Sequence, residues 1–255
     1  MFWEGVPDGP ATLRSASGTL EEFNYNQGSR EGPASRRFHT GEFLEVVYVD
    51  GEVHGQAKLS RPDGGHETFQ FNHGVRQGTA EDMSADGSKE ERNYETGVLQ
   101  GPAVLHGSNG DKLEFSYRNG QKFGAMTYYF HDGSIERSFY DEQGLQNGPT
   151  QLVWANGAKR EGHKVNGQWE GQVYYLYAEG PRKGKRDVEN WKNGKLLESK
   201  KFYGEGENVT INDWDDLKKL QILGQDSESG ESSKVSGDAG KDIYYDCISK
   251  EQTDA

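Results

Sequence analysis

The chain has almost no cysteine. Cys247 is the only one in 255 residues, which rules out an internal disulfide and suits a reducing compartment. Prolines number only seven and follow no tripeptide period, so the chain is neither collagen-like nor a Pro-rich extended segment. No run of 18 apolar residues occurs, and the start Met1-Phe-Trp-Glu-Gly5 lacks a basic stretch followed by an apolar one. Neither a membrane-spanning helix nor a secretory leader is expected. Hydrophobic residues make up 31% and the mean hydropathy is -0.99, thin for a thick globular core and better suited to a one-layer fold. Cations are also short, 29 Lys and Arg against 42 Asp and Glu, for a net charge of -13. The resulting field repels phosphate backbones and anionic lipid, so nucleic acid and membrane are disfavoured as partners. An intracellular protein, cytoplasmic or nuclear, with a protein as its partner is expected.

What the chain has in excess is glycine, 35 residues, and the glycines are periodic. Eight units superpose on three sets of them. Gly9, Gly32, Gly55, Gly78, Gly101, Gly124, Gly148 and Gly171 begin the units; Gly18, Gly41, Gly64, Gly87, Gly110, Gly133, Gly157 and Gly180 follow; Gly28, Gly51, Gly74, Gly97, Gly120, Gly144, Gly167 and Gly194 end them. The period is 23 through five units, slips by one in the sixth and widens in the eighth. Such self-similarity marks a repeat architecture in which each unit buries its apolar side against its neighbours.

Before the second glycine stand turn-forming pairs such as Pro62-Asp63, Ala85-Asp86, Ser108-Asn109 and His131-Asp132. A type I turn followed by a left-handed glycine makes a three-residue hairpin loop from these residues. That loop length fixes the faces, because side chains alternate and one residue more would invert the second strand. Positions two, four and six after the first glycine then share a face with positions three, five and seven after the second. This face carries Ala11, Ala57, Ala103, Met126, Trp154, Val173, Tyr175 and Tyr177 from first strands, and Phe23, Val46, Tyr48, Phe69, Tyr94, Leu113, Phe115 and Tyr140 from second strands. The other face is polar early, with Lys58, Thr68, Glu81 and Glu91, and turns apolar late, with Tyr129, Ile135, Phe139, Val153, Tyr174 and Leu176. The expected fold is all-β: a single elongated, twisted antiparallel sheet of stacked hairpins over 1–200. A segment at 201–224 follows, with a short helix from Asn212 to Gly224 that packs on the last repeats. An acidic tail over 225–255 has too few apolar residues to order.

The unit with Gly-x-x-x-Gly at its junction, as in Gly51-Glu-Val-His-Gly55 and Gly97-Val-Leu-Gln-Gly101, resembles the MORN repeat. The aromatic of that pattern stands at Tyr25, Tyr48, Phe71, Tyr94, Tyr117 and Trp191. Its internal glycine remains only at Gly162, and the second glycine of the usual first strand is replaced by Ala11, Ala34, Ala57, Ala80 and Ala103. The resemblance covers about residues 3–200. The stretch from Gly144 through Gln151, Gln172 to Tyr177 and Trp191 to Glu198 is similar to the repeat domain that precedes the catalytic domain in MORN-containing SET-domain histone lysine methyltransferases. No Asn-His-Ser cofactor motif and no catalytic tyrosine segment are present, and too few residues follow position 200 for a SET domain. The resemblance implies a non-catalytic scaffold or interaction module. It alternatively implies the regulatory N-terminal region of such a methyltransferase without its catalytic domain.

No catalytic, cofactor or metal constellation is expected from the residues. Equivalent slots lie about 10 Å apart per repeat, so the seven histidines read as surface residues, His39 and His131 alone sharing a slot. The Asp-Gly and Asn-Gly pairs are turns and not calcium loops, and Cys247 has no histidine beside it in sequence. Arg182, Lys183, Lys185 and Arg186 form one basic cluster, balanced by Asp187 and Glu189. The candidate protein-binding surface is Tyr129, Phe139, Trp154, Tyr174, Tyr175 and Tyr177.

Overall fold

A computed structural model describes residues 2–3 and 5–202; the helix expected over 212–224 and the tail over 225–255 lie outside the described residues. Repeats 1 to 8 are counted from the eight unit-starting glycines. Each contributes a first strand, such as Gly101–His106, and a second strand, such as Lys112–Arg118. All pairings are antiparallel and join sequence neighbours, from Gly9–Arg14 with Leu20–Asn26 to Arg186–Lys192 with Lys195–Phe202. The result is one long antiparallel sheet whose last strand runs slightly past residue 200. Among the described residues no register joins Lys195–Phe202 to Gly9–Arg14, so the sheet is open. Circuits between strands close only locally, where a short strand and the long strand after it share one partner, as Ser29–Arg30 and Gly32–Arg37 share Leu20–Asn26.

Two kinds of turn alternate. At the second glycine of repeats 1 to 7 the loops have three residues, as where Arg61 N–H donates to the Gly65 carbonyl (2.8 Å) and Gly64 N–H to the Arg61 carbonyl (3.1 Å), while the Asp63 carboxylate accepts from Gly65 N–H (2.8 Å); in repeat 8 a longer loop with a 3-10 turn at Gly180–Arg182 is closed by Tyr177 N–H on the Lys185 carbonyl. Gly64 takes φ +98°, the bulge conformation expected from sequence. At the third glycine the loops have two residues, both left-handed. Gln27, Asp50, His73, Thr96, Asn119, Asn166 and Asn193 have φ between 46° and 53°, each followed by a glycine at 70° to 86°. This is the type I′ hairpin turn, whose twist matches that of the flanking strands. Repeat 6 departs from it. Asp141 N–H donates to the Leu145 carbonyl and Gly144 N–H to the Asp141 carbonyl, a loop one residue longer, which is where the sequence period slips.

The I′ turns stack on each other. From repeat 2 on, the left-handed turn residue donates its N–H to the junction side chain of the preceding repeat, as Asp50 does to Glu31 (3.0 Å), Thr96 to Gln77 (2.9 Å), Asn119 to Gln100 (2.9 Å) and Asn193 to Glu170 (2.7 Å). Among the described residues Thr96 is the one β-branched residue held at such a φ, a conformation that Asn tolerates far better. Thr96→Asn is therefore expected to raise stability by about 1 kcal/mol in urea unfolding, because the bond to Gln77 uses the backbone and survives. An unchanged midpoint would show that the neighbouring turns, and not the residue's own preference, fix this geometry.

The core lies on the face predicted from the alternation. Val46, Tyr48, Ala57, Phe69, Ala80 and Tyr94 form one buried cluster with Ala34, Leu44, Val53, Leu59, Phe71 and Leu99 against it. Opposed residues compensate in volume. Ala11 faces Phe23, Ala57 faces Phe69 and Ala103 faces Phe115, whereas Met126 faces Ser138 and Thr150 faces Gly162. Ala11, Ala57 and Ala103 thus sit where a phenylalanine fills the layer, while Ala34 faces Val46 and Ala80 faces Arg92. Gly162 is the converse case: a Cβ there would lie 2.8 Å from Val173 Cγ2, and Val173 is 0% exposed.

Candidate functional site

Carboxylates also occupy the packed face. The slot three residues after the second glycine holds Glu21, Glu67, Glu90 and Glu136, all buried, and burial of a charge is tolerated only with partners. Those partners come from fixed offsets. Glu21 takes Arg30 (2.9 Å), nine residues on, and the Tyr48 hydroxyl (2.9 Å), twenty-seven on. Glu67 takes Arg76 (3.4 Å) and the Tyr94 hydroxyl (3.4 Å) at the same offsets, and Glu90 takes the Tyr117 hydroxyl (2.9 Å). The arginines also cover the layer below, Arg30 at 4.1 Å from the Phe23 ring centre and Arg76 at 3.8 Å from that of Phe69, a favourable cation–π placement. Where the slot holds Leu44, its two partners become Val53 and Phe71, and the group is apolar throughout. In repeat 6, Glu136 is met by Lys164 Nζ (2.9 Å) and Gln146 (2.8 Å).

Arg92 is enclosed by three carboxylates. It reaches Glu67 (2.8 Å), Asp82 (3.0 Å) and Glu90 (3.7 Å), and Arg61 adds a second bond to Asp82 (2.5 Å). Burial works against the Arg92 charge, yet the hydrogen bond and charge of Glu67 and the charge of Glu90 hold its proton more firmly than in a free side chain. Burial likewise opposes ionisation of Glu21 and Asp111, but their hydrogen bonds win. Tyr48 and Arg36 hold Glu21 below its ordinary value, and Tyr128 with the His131 N–H and ring hold Asp111 below its own. The stability these two carboxylates contribute is present above ordinary carboxylate pKa values and lost as pH falls through the lowered ones.

Glu161 is the opposite case. It lies on the outer face between Gln151 and Tyr174, its Oε2 is buried without a partner, and burial raises its pKa. A carboxyl whose folded pKa is raised binds its proton better folded than unfolded, so ionisation costs stability above the raised value and the cost vanishes below pH 4.5, the ordinary value. Glu161→Gln is expected to stabilise at pH 7 by on the order of 1 kcal/mol and to change nothing at pH 3.5. Equal gains at both pH values would mean that the charge is not the cause.

The six residues expected to form a binding surface divide between the faces. Trp154, Tyr175 and Tyr177 lie together on the packed face, with ring centres 5.1 and 4.6 Å apart, and Tyr128 and Phe130 (4.6 Å) continue their rows. All five are half-buried. Four rings of this region, Trp154, Trp169, Tyr175 and Trp191, surround the Arg160 guanidinium at 5.6–6.0 Å, and Glu189 joins Arg160 (3.3 Å) to the Trp191 indole N–H (2.9 Å). Tyr129, Phe139 and Tyr174 face the other way. Tyr129 donates to Glu114 (3.1 Å) under Lys112, Phe139 is buried, and Tyr174 donates to Gln172 (2.9 Å). Within the basic cluster, Arg182 pairs with Asp187, which also accepts from the Tyr177 hydroxyl (2.8 Å).

His54 and His73 meet edge to face with ring centres 5.0 Å apart. Slot-by-slot comparison missed them because they occupy different slots joined across a turn. Among the described residues no three His, Cys, Asp or Glu side chains assemble as a metal group, and no helix is long and apolar enough to cross a membrane.

These features define a β-hairpin repeat protein with polar clamps between repeats and an aromatic region at its later end. Neither the protein-family models nor the curated proteins give a match. Among solved structures the chain is similar to the TCP domain of SAS-4 (dCPAP) from Drosophila melanogaster, solved with a proline-rich motif of Ana2 (dSTIL). The identity is 14%, the match covers 62% of this chain and 86% of that one, and the TM-score is 0.36.

Proposed function

We propose that the chain is a non-catalytic scaffold of MORN type that binds a protein partner through the aromatic rows of repeats 6 to 8. The observation that carries the reading is the packed-face ladder of Tyr128, Phe130, Trp154, Tyr175 and Tyr177. Large rings with few rotatable bonds are the side chains that dominate interface energies. Arg160 is bonded to Glu189, and Arg182 and the Tyr177 hydroxyl to Asp187, which leaves the rings as the adhesive part of this face. Capture from cell extract with the wild type and with Phe130→Ser/Trp154→Arg, with melting curves as control, tests it. Loss of specific partners by a folded variant is expected, and an identical set of captured proteins would move the surface elsewhere.

The second reading, the regulatory region of a SET-domain methyltransferase lacking its catalytic domain, rests on the similarity over residues 144–198. It expects the chain to associate with a separately produced SET domain of that family. Independent sedimentation of the two in analytical ultracentrifugation would remove it.

A further inference from the structure

The outer face of repeats 1 to 3 carries a groove of about 790 Å³. It is shaped by small outward side chains, Pro10, Thr12, Pro33 and Ser35, and the position of Thr12 and Ser35 holds the larger Val104 in repeat 5 and Tyr174 in repeat 8. Its floor is one cross-strand row, Thr12, Glu22, Ser35, Glu45, Lys58 and Thr68, each opposite the next. Farther along the same row Glu81 and Glu91 share Lys89 (2.8 and 2.9 Å) and Glu114 takes Lys112 (2.7 Å). Glu22 and Glu45 differ from these: among the described residues neither has a hydrogen bond or an ion pair, and Lys58 stands outside ion-pair distance of Glu45. Val47, 39% exposed, adds an apolar wall.

We propose that this groove docks a peptide segment in the polyproline II conformation with two basic side chains three residues apart. The spacing follows from the sheet. Glu22 and Glu45 are separated by the strand that carries Ser35, two inter-strand steps or about 9.6 Å, and three residues of polyproline II helix make one full turn that spans about 9.3 Å and returns the side chain to the same side. Lys58, one step beyond Glu45, repels a third cation there and so sets the direction in which the segment lies. The surface is separate from the aromatic rows of repeats 6 to 8, so its fate does not depend on theirs.

Because the whole chain is strongly negative, general attraction for any cationic peptide is the competing explanation, and the test is built against it. Two fluorescein-labelled nine-residue peptides of Ser, Thr and Gly are compared by anisotropy, one with arginines three apart and one with adjacent arginines. The spaced peptide is expected to bind at least ten times more tightly. Glu22→Gln/Glu45→Gln is expected to abolish that preference, while Glu95→Gln/Glu142→Gln, exposed residues elsewhere with the same change of net charge, retains it. Equal binding of both peptides, equal weakening by both double variants, or no binding at millimolar peptide would each overturn the proposal. Circular dichroism of each variant confirms that the sheet is intact.

Discussion

Arg92→Met is expected to lower the unfolding free energy by about 3–5 kcal/mol, the usual cost of removing one partner from a buried ionic group. The side chain is 13% exposed and lies among carboxylates of Glu67, Asp82 and Glu90 that are each under 10% exposed. Methionine replaces its bulk and leaves three carboxylates in a dry layer, with Arg76 on Glu67 and Arg61 on Asp82 as the cations beside them. Urea unfolding at pH 7 reads the loss, and Lys112→Met supplies the contrast: its pair with Glu114 is exposed and is worth under about 1 kcal/mol. Since the Arg92 pKa is raised in the folded state, its contribution holds from neutral pH to well above pH 10 in the wild type. A change below 1 kcal/mol would mean that water reaches the carboxylates and that the network is a surface feature.

The second large effect concerns layer volume. Phe115→Ser is expected to cost about 3–5 kcal/mol by leaving a cavity, and Ala103→Met about 1–3 kcal/mol by overpacking against the intact ring. Together they reproduce the Met126 and Ser138 pairing that repeat 6 already uses. The double variant should therefore recover at least half of the summed loss, a coupling that a double-mutant cycle measures directly. Strict additivity would show that the opposed residues do not share one space, and the compensation seen along the sheet would then be coincidental.

Both experiments address what was hardest to read from sequence. The glycine period, the three-residue loops and the face of Phe23, Phe69 and Phe115 follow from local rules: a left-handed glycine and strict alternation leave one register. The same alternation passes over Glu21, Glu67 and Glu90 as interruptions of an apolar face, because their justification lies nine and twenty-seven residues away in another repeat. With that offset in hand, the joint change to Leu44, Val53 and Phe71 is visible in the sequence itself. The I′ turns were hidden for a different reason. Gln27, His73 and Thr96 do not announce a positive φ, which the two-residue loop requires at both of its positions. The candidate surface was half legible: residue type located the aromatics in the later repeats, but grouping Tyr129, Phe139 and Tyr174 with Trp154, Tyr175 and Tyr177 ignored the alternation that separates them.

The pairing of neighbours alone has a consequence for synthesis. The widest separation between strand partners in the sheet is twenty residues, Gly171 with Trp191, so the contact order is low and little loop entropy stands in the way of each closure. A hairpin can close as soon as its second strand has left the ribosome, and each finished hairpin is the template for the next. The chain can assemble in the order in which it is made, with one growing edge and no long wait for a distant partner.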